Sequence, residues 1–208
     1  PLKIMEILYL FSSNNLSYIL FKCEHIFTGI NKNLDLLLET KEDFSKARRL
    51  LQRQGFVLRL PETVEKYKEM WSKLIQNQLY SIHLHREVAW HGLKALSKEP
   101  LFARKQSINK LIFLPSLEDR ILIHAGHVLF ENFSIKEREA EYFSQFRNGL
   151  EAGLIDQQYI NKQLVKNHWK KGFYHVVYGK PELTVTEIVK LWAIKLVFEP
   201  TTTLYLAQ

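Results

Sequence analysis

Cys23 is the only thiol in the 208 residues. A lone cysteine excludes an internal disulfide framework and a thiolate zinc site, and it fits a reducing, cytoplasmic setting. Long hydrophobic runs are also missing. The apolar opening from Leu2 to Phe11 is too short to span a bilayer, and no small-residue cleavage site follows it, so neither a membrane span nor a signal peptide is expected. Low-complexity segments, internal repeats and a continuous basic tail are absent as well. The chain starts on Pro1 rather than Met, and residues 200–208 read as a tail cut from something longer.

Hydrophobic residues make up 46% and charged residues 25%, which suits one α/β core with a helical annex rather than a disordered chain. The net charge of +7 favours nucleic acid, an anionic surface or a phosphate-bearing ligand without choosing among them. Its densest groups, Lys46 to Arg53 and Lys162 to Lys171, read as solvated faces.

Apolar spacing predicts a lead helix over 2–12, broken by Ser12 to Asn15. Strands are expected at 17–23 and 33–39, joined by a turn containing Gly29. Thr40 and Asp43 form a helix-start pattern, Phe44, Ala47 and Leu51 follow at helical spacing, and Gly55 ends the helix before a third strand at Phe56. Period two returns at 70–75 and 80–85 as a hairpin. Beyond Glu87 no strand is expected. Ser116 and Asp119 open a helix through Leu129, further helices cover 135–149, 156–168 and 185–198, and 172–181 reads as loop. The division is an α/β core over 1–86 and a mainly helical region over 87–208.

Chemistry concentrates on two strands. With Leu34, Leu36 and Leu38 facing the core, Asn33 and Asp35 project together from the opposite face, a spacing suited to magnesium completed by phosphates and water. A polar outer strand face produces the same pattern. His83 and His85 also sit at i and i+2, with Tyr80, Ile82 and Leu84 expected on the other side. With Asp35 they make a mixed nitrogen and oxygen set for zinc, manganese or iron, to which His124 or His127 can be added. Hydrogen bonding alone also accounts for such histidines. Lys22 ends an apolar strand as a point charge for phosphate or as a solvated strand end. Cys23 reads as a small buried residue, and Trp71, Tyr80 and Trp90 as core aromatics.

The order of these segments resembles the nucleotidyltransferase superfold. The similarity is to an uncharacterised family whose members run Lys-Gly, Asp-Ile-Asp-Leu-Leu-Val, Gly-Tyr and Ile-Asp-Leu-His. Here those motifs read Lys22-Cys23, Asn33-Leu34-Asp35-Leu36-Leu37-Leu38, Gly55-Phe56 and Ile82-His83-Leu84-His85. Residues 114–132 resemble the family's helical region, so the likeness covers about 2–146. It implies an α+β fold, a mixed sheet flanked by helices and followed by a mainly helical C-terminal region. It also implies three carboxylates holding two Mg2+ or Mn2+ ions with a nucleoside triphosphate.

By position those carboxylates fall on Asn33, Asp35 and His83, and Lys22 with Cys23 takes the phosphate-side motif whose glycine is cysteine here. Only Asp35 keeps the acid. A neutral amide cannot bridge two metals, and imidazole suits magnesium poorly. The segment from Lys22 to Asn33 is also short for the helix whose N-terminus cradles phosphates.

Three functions follow. One is a nucleotidyltransferase-fold protein with degenerate transfer activity that binds a nucleotide or phosphorylated small molecule. Another is an active transferase centred on Asp35, with Glu24, Glu39 or His83 recruited as replacements. The third is a basic partner of nucleic acid or protein. Arg120 with His127 additionally resembles the arginine and histidine pair of small helical ribonucleases that accompany minimal nucleotidyltransferases, although packing explains His124 and His127 more simply.

Overall fold

Thr40 begins the second helix of the chain by accepting a hydrogen bond from the Asp43 backbone N–H at 2.9 Å through its side-chain oxygen. The computed structural model describes residues 2–22, 33–135, 137–179 and 184–198. The chain forms two compact units, Pro1–Val88 with Lys98–Ser116, and Ala89–Ser97 with Leu117–Gln208.

The first unit runs α1 (Leu2–Ser13), β1 (Tyr18–Leu20), β2 (Asn33–Leu38), α2 (Lys41–Arg53), β3 (Val57–Leu60), β4 (Lys68–Ile75) and β5 (Gln78–His85). At the end of α2, Gly55 takes φ +77°, a left-handed conformation that costs glycine little. The Phe56 N–H then reaches the Leu51 carbonyl to close the helix end. Gln76 and Asn77 adopt φ of +50° and +58°, which makes a two-residue hairpin turn between β4 and β5 without glycine.

The five strands form a mixed sheet in the order β1-β2-β5-β4-β3. β2 and β5 pair in parallel, and the other neighbouring pairs are antiparallel. A parallel pair needs a crossover, here supplied by α2, β3 and β4. Leu8 and Phe11 of α1, and Phe44, Ala47 and Leu51 of α2, bury one sheet face together with Leu34, Leu36, Leu38, Ile82 and Leu84. Removing Thr40 as a cap tests how firmly α2 is set: Thr40→Ala is expected to cost about 1 kcal/mol in urea unfolding. A change indistinguishable from zero would show that the cap contributes nothing.

Strand structure continues past Glu87, contrary to expectation, in β6 (Val88–Trp90) and β7 (Leu93–Leu96). These strands are too short to display a period, and their turn uses His91 and Gly92 at φ +48° and +77°. Next come α3 (Lys98–Ala103), β8 (Gln106–Ser107) and β9 (Phe113–Leu114). Residues 98–116 belong to the sheet unit, where the Tyr18 hydroxyl donates to the Leu111 carbonyl at 2.7 Å and Ile112 and Leu114 enter the core.

In the second unit, α4 (Leu117–His127) passes into a π-helical turn over Val128–Asn132 that ends at Phe133, φ +56°. It is followed by α5 (Glu137–Glu151), α6 (Gln157–Lys166), α7 (Lys170–Tyr178) and α8 (Val185–Phe198). α7 falls where a loop is expected. Its Trp169 N-cap makes no side-chain cap bond, so the usual start signal is missing, yet Trp169, Phe173, Val176 and Val177 are all buried at helical spacing. The strand expected at 17–23 ends its regular pairing at Leu20, and Cys23, Glu24 and Gly29 lie outside the described residues. Among the described residues no helix is long and apolar enough to cross a membrane.

Candidate functional site

Side-chain alternation sends Leu34, Leu36, Leu38, Ile82 and Leu84 toward α1 and α2, so Asn33, Asp35 and Leu37 of β2 and Ser81, His83 and His85 of β5 occupy the other face. Parallel register sets Asp35 directly opposite His83 and Leu37 opposite His85. Both imidazoles turn to one carboxylate oxygen: His83 Nδ1 lies 3.1 Å and His85 Nε2 2.9 Å from Asp35 Oδ1. The polar outer face is therefore not simply solvated. Asp35 is buried, His85 is 1% exposed, and the Phe21 ring stands 4.7 Å from the His85 ring, centre to centre.

Burial opposes the charge on Asp35, but hydrogen bonds and charge from His83 and His85 outweigh it and hold the carboxyl well below its usual range. Burial acts the other way on His85. It drives the imidazole down to about 4 against the pull of Asp35, and Lys22 and Lys68 push in the same direction as burial. His85 Nδ1 is buried and makes no hydrogen bond. At neutral pH the centre is thus an anionic carboxylate beside a neutral His85.

Of the other expected site residues, Asn33 is exposed at the start of β2, opposite Ser81. It lies two residues from Asp35 on the same face, roughly 7 Å along the strand. Lys22 is half-buried just beyond β1 and lies within electrostatic reach of His85. Cys23 and Glu24 fall outside the described residues. Glu39 is exposed and accepts from the Ser17 hydroxyl.

Lys68 was not anticipated. It pairs across the strands with His85 because β4 begins at Lys68 rather than Met70, and its ammonium also contacts Glu65 at 3.1 Å. Extending the period-two pattern back by two residues would have revealed it. Ser72 and Ser81, buried on the same face, are linked through their hydroxyls at 3.0 Å.

Histidines of the second unit are engaged locally. His127 Nε2 meets Glu131 Oε2 at 2.7 Å, and its Nδ1 faces Asn132 Nδ2 at 3.4 Å. His124 packs on Tyr142 with ring centres 4.6 Å apart. Arg120 and His127 are seven residues apart on α4, about 10 Å along the axis. Trp71 and Trp90 are buried, and Trp71 Nε1 donates to Glu69 Oε2 at 3.0 Å.

Asp35, His83 and His85 can hold a metal ion, since one ligand atom from each lies within 4.8 Å of the others. One carboxylate and two imidazoles do not fit a pair of magnesium ions, which requires several anionic oxygens. Comparison of the chain with protein-family models, curated proteins and solved structures gives no significant match.

Proposed function

We propose that this chain is a nucleotidyltransferase-fold protein that binds a nucleotide or phosphorylated small molecule on the Asp35 face of its sheet and has lost efficient nucleotidyl transfer. The observation that carries the reading is the β2–β5 register. It sets Asp35, in the second carboxylate position of the resemblance, against His83, in the third, at hydrogen-bond distance on neighbouring parallel strands. An antiparallel strand, a central strand and a parallel partner reached through a crossover also suit that superfold.

Loss of transfer follows from charge. Two-metal catalysis clamps the attacking and leaving oxygens between cations that anionic ligands must bridge. With amide at Asn33 and imidazole at His83, one bridging acid remains. Lys22 and Lys68, both felt at His85, supply the positive potential that attracts phosphate oxygens.

Calorimetry with ATP and GTP, each with Mg2+, with Mn2+ and without metal, tests the reading on wild type and Asp35→Ala. Wild type is expected to bind a nucleotide when divalent metal is present, and Asp35→Ala at least tenfold more weakly, about 1.4 kcal/mol. No nucleotide binding under any metal condition would sink the proposal. So would equal binding by Asp35→Ala. Labelled nucleotide transferred to an acceptor would instead establish the active enzyme, and metal-independent nucleic-acid binding that falls steeply with salt would establish the basic-partner reading.

A further inference from the structure

Asp35, His83 and His85 present one carboxylate oxygen and two imidazole nitrogens from adjacent central strands, with the oxygen 2.9 and 3.1 Å from the nitrogens. Nitrogen and oxygen donors about 2.0–2.2 Å from a tetrahedral ion are roughly 3.3–3.5 Å from one another. The two oxygen–nitrogen separations are within a few tenths of an ångström of those values, and all three donor atoms lie within 4.8 Å of one another. We infer that these three side chains form a mononuclear centre for a borderline divalent transition ion such as Zn2+, in place of a magnesium pair. The inference shares its site with the proposed function and rests on that reading only for the phosphate ligand named below.

Donor chemistry selects the ion. Imidazole suits zinc, cobalt and iron, whereas magnesium requires octahedral oxygen and keeps its water. The strand ladder supplies preorganisation, because His83 stands directly opposite Asp35 and His85 follows on the same strand face. Ligation by His85 Nε2 requires its proton to move to Nδ1. Asp35 holds that proton on Nε2 in the ion-free site, and Nδ1 is buried without a hydrogen bond, so the metal–ligand bonds must offset one unpaired N–H.

Access is one-sided. The His83 and Asp35 side chains are 16% and 10% exposed, while His85 is sealed at 1%, so the fourth position opens beside His83. Two histidines, one carboxylate and an open position taken by water make a coordination set that binds and polarises an oxygen ligand. Lys68, which stands across the strands from His85 and is shared with Glu65, and Lys22, which acts on the same imidazole, make a phosphate oxygen the ligand that fits.

The test uses the untagged full chain, stripped with chelator and titrated with Co2+ alone. One equivalent is expected to produce the visible absorption of a four- or five-coordinate ion, to be displaced by one equivalent of Zn2+ and not by excess Mg2+, and to raise Tm. His83→Gln is expected to weaken binding about 100-fold or more and abolish the band, and so is His85→Gln. His124→Gln should leave the spectrum unchanged.

Absence of the band in wild type overturns the inference without reference to any variant, so a poorly folding His85→Gln cannot rescue it. Wild-type binding that survives in His83→Gln overturns it too, as does displacement by magnesium. Co2+ binding without nucleotide binding upholds the metal centre and removes the nucleotide reading. Magnesium-dependent nucleotide binding without a cobalt band does the reverse.

Discussion

Acidifying the chelator-treated protein from pH 7 to pH 4 is expected to remove roughly 3 kcal/mol of folding stability through His85 alone. Unfolded histidine takes up its proton near 6.5, whereas His85 in the folded protein does so at about 4. In that window the unfolded chain binds more protons, so stability falls as pH falls. The contribution is complete above pH 6.5 and lost on the way to 4, at about 1.36 kcal/mol per pH unit. Asp35 acts in the same direction at lower pH, because its folded carboxyl is held well below its usual range and must protonate last.

Urea unfolding at half-unit pH steps measures the slope, and His85→Gln separates His85 from the other acids. Parallel curves for wild type and His85→Gln between pH 6.5 and 4 would show that His85 does not carry the effect.

Trp169→Ala is expected to be the most damaging single truncation in the helical unit, at about 4 kcal/mol. The indole is 1% exposed, and its ring lies edge-on to Phe130 and Phe173 at 5.8 and 6.1 Å. Its Nε1 donates to the Ala95 carbonyl at 2.7 Å, which joins α7 to β7 within the unit. Alanine leaves both a cavity and a carbonyl without that donor. Trp169→Phe keeps most of the ring contacts and forfeits the hydrogen bond, so about 1–2 kcal/mol is expected. Calorimetric or urea unfolding of both variants checks the pair. A Trp169→Ala protein within 1 kcal/mol of wild type would mean that α7 is not held by this residue.

Local signals identified what local physics controls. Thr40, Asp43 and Gly55 bracket α2 because a cap oxygen and a left-handed residue act within a few positions of themselves. Leucines at 34, 36 and 38 set the face of β2, and that alternation already placed Asp35 on the other side. α7 was hidden because its start has no side-chain cap and Gly172 interrupts it. Packing is close at that glycine, where an added Cβ would meet the Leu191 and Leu129 side chains at 3.0–3.1 Å.

Periodicity and cap residues alone establish the α+β character, most of the helices and the hairpin, and the oxygen and nitrogen donors available on β2 and β5. The parallel register of those strands, the burial of Asp35 and the place of Lys68 among the charges around His85 come from the assembled sheet. Strand periodicity states which way a side chain points, but the partner strand, 48 residues on from Asp35 to His83, is chosen by the packing of α1 and α2 on the whole sheet.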